Sequence, residues 1–134
     1  LKDAGLQSLP GGGAEILNDE VRKRISPKKT RSKAWLDLME DAHHIGLKTT
    51  ATMVYGFGET TEQRVEHLMK VRDLQDKTGG FTAFIPWSFS PDHTDLECPR
   101  LQNGVDYLRL IAMARIILDH VDLIVSEDQK NNAS

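Results

Sequence analysis

Residues 49–64, TTATMVYGFGETTEQR, decide the fold because they combine a strand, a glycine turn and a helix start. The segment up to Tyr55 is β-branched and aromatic, and Gly46 and Gly56 flank it, which favours a buried parallel strand over a helix. Thr60 and Gln63 then have the spacing of a capping box, and apolar residues follow at helical spacing. A strand that leads at once into a helix predicts a βα unit of a parallel sheet.

The same alternation of strand and helix runs along the rest of the chain. Apolar residues recur at helical spacing over residues 32–45, and Gly46 stands where a helix C-cap belongs. Further strands are predicted before the glycines of residues 11–13, at 81–89 and at 121–125, with helices starting near Thr60 and at about 103–119. Four strands separated by three mostly helical crossovers predict a parallel α/β sheet.

Composition limits the classes of partner and site. Seventeen Lys and Arg against twenty Asp and Glu give a net charge of −3, which leaves no positive field for nucleic acid or anionic lipid. The basic run at residues 22–33, RKRISPKKTRSK, lacks interleaved aromatic residues and is interpreted as a solvated connector. No apolar run is long enough to span a membrane. With Cys98 as the single cysteine, no internal disulfide or multi-thiolate metal site is expected, and a cytoplasmic location fits best.

The chain is expected to be one partial domain, residues 1–134, of a longer protein, since it starts with leucine and carries no leader. The predicted helix at 103–119 has apolar residues on more than one side, namely Val105, Leu108, Ala112 and Ile116 on one and Leu110, Met113 and Ile117 on another. A four-stranded sheet covers one side only. We therefore expect missing chain or a second subunit to cover the other, and we expect self-association.

The glycine turn stands where ligands bind in parallel α/β proteins, beyond the carboxyl end of a strand. Gly56 and Gly58 leave room for a flat ring or a sugar to approach the backbone, and the helix start at Thr60 offers partial positive charge. The alternative is that both glycines form a tight strand-to-helix turn and nothing more, because such turns use glycine with or without a ligand.

Six segments together resemble the radical S-adenosylmethionine (SAM) enzymes of the futalosine route to menaquinone and their relatives in deazaflavin synthesis. The segments are LPGGGAEIL, ISPKK, AHHIGLKTTATMVYG, ETTEQRVEHL, RDLQDKTGGFTAFIPWSFSP and YLRLIAMARIIL, and the resemblance runs from residue 1 to about 118. It implies a (β/α) TIM-type barrel, of which this chain would form strands four to seven. TTATM followed by FIPWSF is most similar to the branch that cyclises dehypoxanthine futalosine, because the aminofutalosine synthases tend to carry leucine at the position of Trp87.

The resemblance implies an intact enzyme with SAM and a [4Fe–4S] cluster. Such an enzyme would cleave SAM reductively to a 5′-deoxyadenosyl radical, abstract hydrogen from the substrate ribose and close the sugar carbon onto the aromatic ring. Three features depart from the family. The CxxxCxxC motif is absent and Cys98 cannot replace it, Phe57 stands where histidine is common, and the ending SEDQKNNAS is unusual. We therefore expect no cluster, no metal ligands and no activity on this chain by itself.

The resemblance also assigns the cofactor side of the site. Glu15 matches a polar position that hydrogen-bonds the ribose hydroxyls of SAM, a role that suits a carboxylate because both oxygens accept. Its alternative role is to cap nearby backbone N–H groups. Tyr55, Gly56, Gly58 and Glu59 match the segment on the adenine side of the cofactor. Glu59 has the alternative role of an acid at a helix N-terminus.

Substrate-binding residues are predicted on the two central strands. Thr50 and Thr52 alternate with Ala51 and Met53, so one pair faces the barrel interior, and the period does not say which. Threonines that face inward would hold substrate hydroxyls, whereas threonines that face outward would only pack. Trp87 ends its strand at the ligand end, where its indole would stack on a sugar or an aromatic ring unless it is a core tryptophan.

Four histidines are interpreted as structural or solvated. His43 and His44 are adjacent, hence about 100° apart on a helix, and cannot chelate one metal ion together. His67 and His93 have no ligand spacing around them.

Three functions follow from these observations. The first is part of a radical SAM cyclase that takes a nucleoside-type small molecule, with no nucleic acid or membrane as partner. The second is the aminofutalosine or deazaflavin-type reaction of the same family. The third is a non-catalytic half-barrel that binds a nucleoside or only associates with itself.

Overall fold

The computed structural model describes residues 2–91, 96 and 101–124. Within them, a four-stranded parallel sheet has the strand order β1-β2-β3-β4. The strands are β1 (Ser8–Leu9), β2 (Lys48–Tyr55), β3 (Phe81–Ser88) and β4 (Leu123–Ile124). The helices are α1 (Asp19–Ile25), α2 (Ser32–His44), α3 (Thr61–Thr78) and α4 (Gly104–Ile117), after a short 3₁₀ turn at Lys2–Ala4.

The strand order is that of a barrel rather than that of a doubly wound sheet. Right-handed crossovers between strands added in one direction put every crossover helix on the same face, whereas a doubly wound sheet reverses its order and has helices on both faces. Here the spatial order equals the chain order. The predicted α/β class, with about four parallel strands of a partial TIM-type barrel, is confirmed. No helix among the described residues is long and apolar enough to cross a membrane.

Each long strand has a helix face and an interior face. On β2, Ala51 and Met53 are fully buried, while Thr50 and Thr52 are partly exposed. Phe84, the partner of Ala51 on β3, packs against helix α3 through an aromatic contact with a histidine. The buried set therefore faces the helices. The two threonines face the barrel interior, which the alternation of the sequence left open.

A bulge in β3 keeps two aromatic side chains on the helix face. Phe81 pairs with Thr49, but Ala83 pairs with the next residue of β2, so Thr82 is an extra residue in the ladder. Because the bulge shifts the alternation, Phe81 and Phe84 both face the helices although they are three positions apart. Downstream of the bulge, the residues that pair with the interior face of β2, namely Ala83, Ile85 and Trp87, face the interior.

Helix ends follow the local signals. The side chain of Thr60 accepts a hydrogen bond from the Gln63 N–H, and the Gln63 side chain accepts from the Thr60 N–H, which forms the predicted capping box of α3. Helix α3 ends at Gly79, whose φ of 60° is left-handed. Helix α2 ends one residue before its predicted end, and Gly46 follows with φ of 79°.

The interpretation of residues 22–33 as a solvated connector is wrong at its start. Helix α1 covers Asp19–Ile25, and its Arg22 is only 4% exposed. The side chain of Asn18 caps this helix by accepting from the Val21 N–H. Lys28 and Lys29, further along, are exposed as expected.

Helix α4 buries one apolar face and exposes the other. Leu110 and Ala114 are fully buried, whereas Val105, Leu108 and Ile116 are 55%, 66% and 79% exposed. The two-sided pattern of the sequence therefore corresponds to one packed and one exposed face in the described part of the chain. His93, Cys98 and the segment 125–134 lie outside the described residues.

Candidate functional site

The glycine-rich segment after β1 continues along β2 toward the carboxyl end of the sheet. The Gly11 N–H donates to the Thr50 hydroxyl over 2.9 Å, and the Thr52 hydroxyl donates to the Gly11 carbonyl over 2.6 Å. The Val54 N–H donates to the Glu15 carbonyl over 2.9 Å. The interior-facing threonines thus hold both backbone polar groups of Gly11, and each hydroxyl keeps unused hydrogen-bonding capacity: that of Thr50 can still donate, and that of Thr52 can still accept.

Side chains from three helices fix the rest of this segment, residues 11–17, which we call the glycine loop. The Trp35 indole donates to the Gly12 carbonyl over 3.1 Å. The Arg22 guanidinium donates to the carbonyls of Gly13, over 3.2 Å, and Ala14. At the far end, the ring Nδ1 of His67 accepts from the Leu17 N–H over 2.9 Å, and the Lys70 ammonium donates to the Leu17 carbonyl over 2.7 Å. The loop is therefore preorganised rather than free.

Glycine is required at position 11 by close packing. A Cβ built there would lie 1.7 Å from the carbonyl oxygen of Thr50, a backbone atom that cannot move out of the central strand. A Cβ at Gly12 would meet nothing within 4 Å. The first glycine thus serves contact with β2.

Glu15 has an unusual backbone and an incompletely bonded side chain. It is the single non-glycine residue with positive φ, 40°, in the described part of the chain. Its Oε1 accepts a hydrogen bond from the ammonium of Lys29, and its Oε2 is buried with no hydrogen-bond partner among the described residues. Backbone strain and unpaired buried acceptors are both uncommon, and they concentrate at functional sites.

Glu59 organises the turn after β2. Its side chain is fully buried, and its two oxygens accept from the N–H groups of Gly56, over 2.8 Å, and Phe57, over 2.7 Å. The Arg64 guanidinium donates to Oε1 over 2.7 Å and lies 5.0 Å from the centre of the Tyr55 ring. These contacts give Glu59 a shaping role in the turn. Its predicted role as a direct cofactor contact stays a prediction.

The two glycines of the turn have different surroundings. Both have positive φ, 104° at Gly56 and 83° at Gly58, so the turn itself favours glycine at each. Gly56 is buried, and a Cβ there would lie 2.8 Å from Cγ of Gln102. Gly58 is exposed. The tight-turn role is therefore present in both, and contact with a ligand remains a prediction for both.

Trp87 lies on the interior face near the carboxyl end of β3. It pairs with Val54 of β2 and is 40% exposed, so it is not a core tryptophan in the described part of the chain. Tyr55, by contrast, is 1% exposed and faces the helices. Burial raises the pKa of the Tyr55 phenol, and the nearby Arg64 partly opposes that shift. Tyr55 therefore packs on the helix side of the turn and not on the interior face.

The buried histidine of α3 is held neutral. Burial lowers the pKa of His67 to about 3. Its Nδ1 accepts from the glycine loop, so the proton of the neutral ring is on Nε2. His43 lies between the hydroxyls of Thr78 and Thr49, and burial lowers its pKa as well. These two histidines are structural, as interpreted from the sequence.

Three residues near the site were missed by sequence reasoning. Arg22 and Lys29 were assigned to a connector, and His67 was not linked to the glycine loop. The capping pattern of Asn18 followed by two acids could have revealed α1 and thereby the burial of Arg22. No local signal links Lys29 to Glu15 or His67 to residue 17, because those contacts span 14 and 50 positions.

The described residues contain no group of three or more His, Cys, Asp or Glu side chains placed to hold a metal ion. Cys98 is the single cysteine of the sequence. The donor set of this chain therefore does not fit a [4Fe–4S] cluster, which needs several thiolates.

Two known protein families match successive parts of the chain. Residues 1–71, from the 3₁₀ turn through most of α3, match the radical SAM superfamily. The chain belongs to the radical SAM superfamily. Residues 78–127 match a second family described as the CofH/MqnC C-terminal region. Both parts of the candidate site that precede β3, the glycine loop and the turn after β2, lie in the radical SAM match.

Relatives with curated names carry several activities. The chain is 48% identical over 118 residues to cyclic dehypoxanthine futalosine synthase of Streptomyces coelicolor, covering 88% of this chain and 30% of the relative. It is 45% identical over 124 residues to aminodeoxyfutalosine synthase of Thermus thermophilus, covering 90% and 33%. It is 44% identical over 131 residues to 5-amino-6-(D-ribitylamino)uracil–L-tyrosine 4-hydroxyphenyl transferase 1 of Methanosarcina barkeri, covering 92% and 35%. The chain thus spans about a third of the length of these three relatives.

Proposed function

We propose that this chain is the part of a radical SAM cyclase that positions SAM and a nucleoside-type substrate, with dehypoxanthine futalosine as that substrate in menaquinone synthesis. The observation that carries the proposal is the glycine loop, which contacts from four other elements hold in one conformation around the carboxylate of Glu15. A preorganised acceptor at the carboxyl end of parallel strands is what nucleoside recognition requires. In this proposal residues 1–134 act as one partial domain.

The cofactor side of the proposed site consists of Glu15 and the turn after β2. Glu15 Oε2, buried and without a partner among the described residues, accepts from a ribose hydroxyl of SAM. Tyr55, Gly56, Gly58 and Glu59 give the turn its shape, so that the adenine lies against its backbone. When bound, SAM supplies the radical chemistry of the family, and the chain's own residues bind it, orient it and exclude water.

The substrate side of the proposed site is the interior face of β2 and β3. The Thr50 hydroxyl can still donate one hydrogen bond, and the Thr52 hydroxyl can still accept one, after both have engaged Gly11. Trp87, partly exposed on the same face, offers an indole on which an aromatic ring or a sugar stacks. These three residues are proposed to hold the substrate.

Trp87 is also the feature that favours cyclisation over the related reactions. Identities of 48%, 45% and 44% to the three named relatives differ too little to choose between their reactions. The segment FIPWSF, with Trp87 at the ligand end of β3, is most similar to the cyclising branch, as argued from the sequence. The aminodeoxyfutalosine and 4-hydroxyphenyl transferase reactions are the alternatives.

The isolated chain is proposed to bind without catalysing. Reconstitution with iron and sulfide is expected to give no cluster absorbance and no 5′-deoxyadenosine from SAM, because Cys98 alone cannot bind a cluster. A SAM-cleaving cluster on these 134 residues would contradict this part of the proposal.

The binding proposal is tested by calorimetric titration of SAM onto the chain and its Glu15→Gln variant. We expect wild type to bind and Glu15→Gln to bind at least about tenfold more weakly, since an amide replaces a charged acceptor. Glu20→Gln is the matched control, because Glu20 is exposed on α1. A folded wild-type chain that binds neither SAM nor adenosine would overturn the proposal.

Self-association is a second proposal, with a specific observation behind it. The exposed apolar stripe of α4, which we define as Val105, Leu108, Ala112 and Ile116, belongs to a helix that contacts β4, the end strand of the described sheet. We propose that a second copy of the chain covers this stripe, because contiguous exposed apolar side chains and open strand edges both favour association.

A further inference from the structure

The ion pair between Lys29 and Glu15 joins two parts of the connection between β1 and α2. Glu15 belongs to the glycine loop, whereas Lys29 lies in the segment between α1 and α2. The Glu15 side chain is 14% exposed and that of Lys29 is 50% exposed, so the carboxylate lies below and the ammonium reaches it from the solvent side. The pair therefore links the proposed cofactor contact Glu15 to the protein surface.

The bonding of both groups is incomplete. A lysine ammonium has three donors, and within the described residues that of Lys29 has Glu15 Oε1 as its one hydrogen-bond acceptor. Glu15 Oε2 has no donor there. The protein thus places a donor with remaining capacity beside an acceptor with none of its capacity used.

Space for a ligand group exists next to the ammonium. Lys29, but not Glu15, lines an open cavity of about 260 Å³, together with Arg22, Thr30 and Arg31. Arg22 and Thr30 are joined by hydrogen bonds of 2.9 and 2.6 Å from the guanidinium to the carbonyl. Because the same guanidinium also holds Gly13 and Ala14, the cavity wall and the glycine loop form one connected unit.

A neighbouring donor and acceptor match one kind of ligand group best. A hydroxyl both donates and accepts, so one hydroxyl can donate to Glu15 Oε2 while its oxygen accepts from Lys29 Nζ. A pair of adjacent hydroxyls satisfies both protein groups more completely than one does. Charge-assisted hydrogen bonds of this type are stronger than neutral ones.

We propose that Lys29 is a second ribose-binding residue, which hydrogen-bonds the adjacent hydroxyls of the nucleoside together with Glu15. This inference rests on the proposed function, because it takes the ribose of SAM as the group bound at Glu15. It adds a residue to the site and assigns it a selectivity, namely a preference for a ribose diol over a sugar that lacks the hydroxyls.

The test compares adenosine with 2′,3′-dideoxyadenosine on the wild-type chain and on Lys29→Met. We expect wild type to bind adenosine at least about tenfold more tightly, because a site built to hydrogen-bond hydroxyls disfavours an analogue that lacks them. Lys29→Met should weaken adenosine binding about fivefold or more and leave the dideoxy analogue almost unchanged. Lys28→Met, with the same change of charge at an exposed neighbour, should bind like wild type. Lys29→Arg should recover part of the preference, because it restores donors.

Each remaining outcome has a distinct meaning. If wild type prefers adenosine and Lys29→Met keeps the full preference, the role of Lys29 is disproved while the proposed function stands. If Lys29→Met weakens both nucleosides by the same factor, the residue contributes only charge or packing, and the inference is again wrong. If a folded wild-type chain binds neither SAM nor adenosine, the proposed function and the role of Lys29 fail together.

Discussion

Replacing Gly11 by alanine tests the packing of the glycine loop against β2. A Cβ at this position would lie 1.7 Å from the Thr50 carbonyl oxygen and 2.6 Å from the carbonyl carbon. Both are backbone atoms of a central strand, so the loop has to move instead. Gly12→Ala is a matched control one residue away, because a Cβ there meets nothing within 4 Å.

The size of the effect follows from the contacts that the movement breaks. The N–H and the carbonyl of Gly11 lose their hydrogen bonds to the hydroxyls of Thr50 and Thr52, each worth about 1 kcal/mol. Overpacking against the strand adds about 1–3 kcal/mol. We therefore expect Gly11→Ala to lower the free energy of unfolding by about 3–5 kcal/mol, and Gly12→Ala to change it by no more than about 0.5 kcal/mol.

Urea denaturation followed by circular dichroism measures both variants, and SAM titration on the same samples measures the site. A displaced loop carries Glu15 with it, so Gly11→Ala should also bind SAM more weakly than Gly12→Ala does. Equal urea midpoints and equal SAM affinities for the two variants would show that the loop does not pack on β2 as described.

Three further predictions concern the turn, the buried histidine and the exposed stripe. Glu59→Gln should lower the free energy of unfolding, measured by urea denaturation, by about 2–4 kcal/mol. The substitution places an amide NH₂ against the N–H donors of Gly56 and Phe57 and leaves Arg64 without its charge partner. Glu62→Gln is the control and should change stability little, because Glu62 is exposed. The buried neutral ring of His67 should cost about 2 kcal/mol of stability from pH 7 to pH 5, since unfolded His67 takes up a proton near pH 6.5 while its folded pKa is about 3. This contribution is fully present above pH 6.5, and His67→Asn should remove it from the pH dependence measured in urea, leaving the part that comes from His43, whose pKa burial also lowers. Light scattering coupled to size exclusion should show a concentration-dependent dimer that Leu108→Lys weakens and Leu38→Lys, on α2, does not; a monomer at all concentrations would disprove the self-association proposal.

Elements whose signals are local were predictable from the sequence. The capping box at Thr60 and the glycine at position 79 set both ends of α3 through contacts within a few residues. The alternation of strands and helices, together with the family resemblance, was enough for the parallel partial barrel. Helix α1 was not predicted because its basic residues indicated a solvated connector, and the N-cap signal of Asn18 was not considered.

The candidate site depended on contacts that local patterns do not encode. The glycines, Glu15 and Trp87 stand out in the sequence, but the hydroxyls of Thr50 and Thr52 hydrogen-bond the backbone of Gly11, 39 and 41 positions away. Arg22 donates to backbone carbonyls, which every residue carries, so no partner side chain marks its burial in the sequence. The direction of the two threonines likewise required the helices to be placed on one face of the sheet.

At position 15 the left-handed backbone favours glycine, whereas the proposed ligand contact requires the carboxylate of Glu15. Glycine would adopt φ of 40° without the strain of about 1–2 kcal/mol that a side chain brings, and would add about 0.4–1 kcal/mol of flexibility to the unfolded chain. The relieved strain exceeds the entropy term by about 0.8 kcal/mol at the middle of both ranges, so Glu15→Gly should be at least as stable as wild type while lacking the carboxylate. Such a variant would be a recognition-deficient scaffold of native stability, on which ligand specificity could be engineered independently of folding.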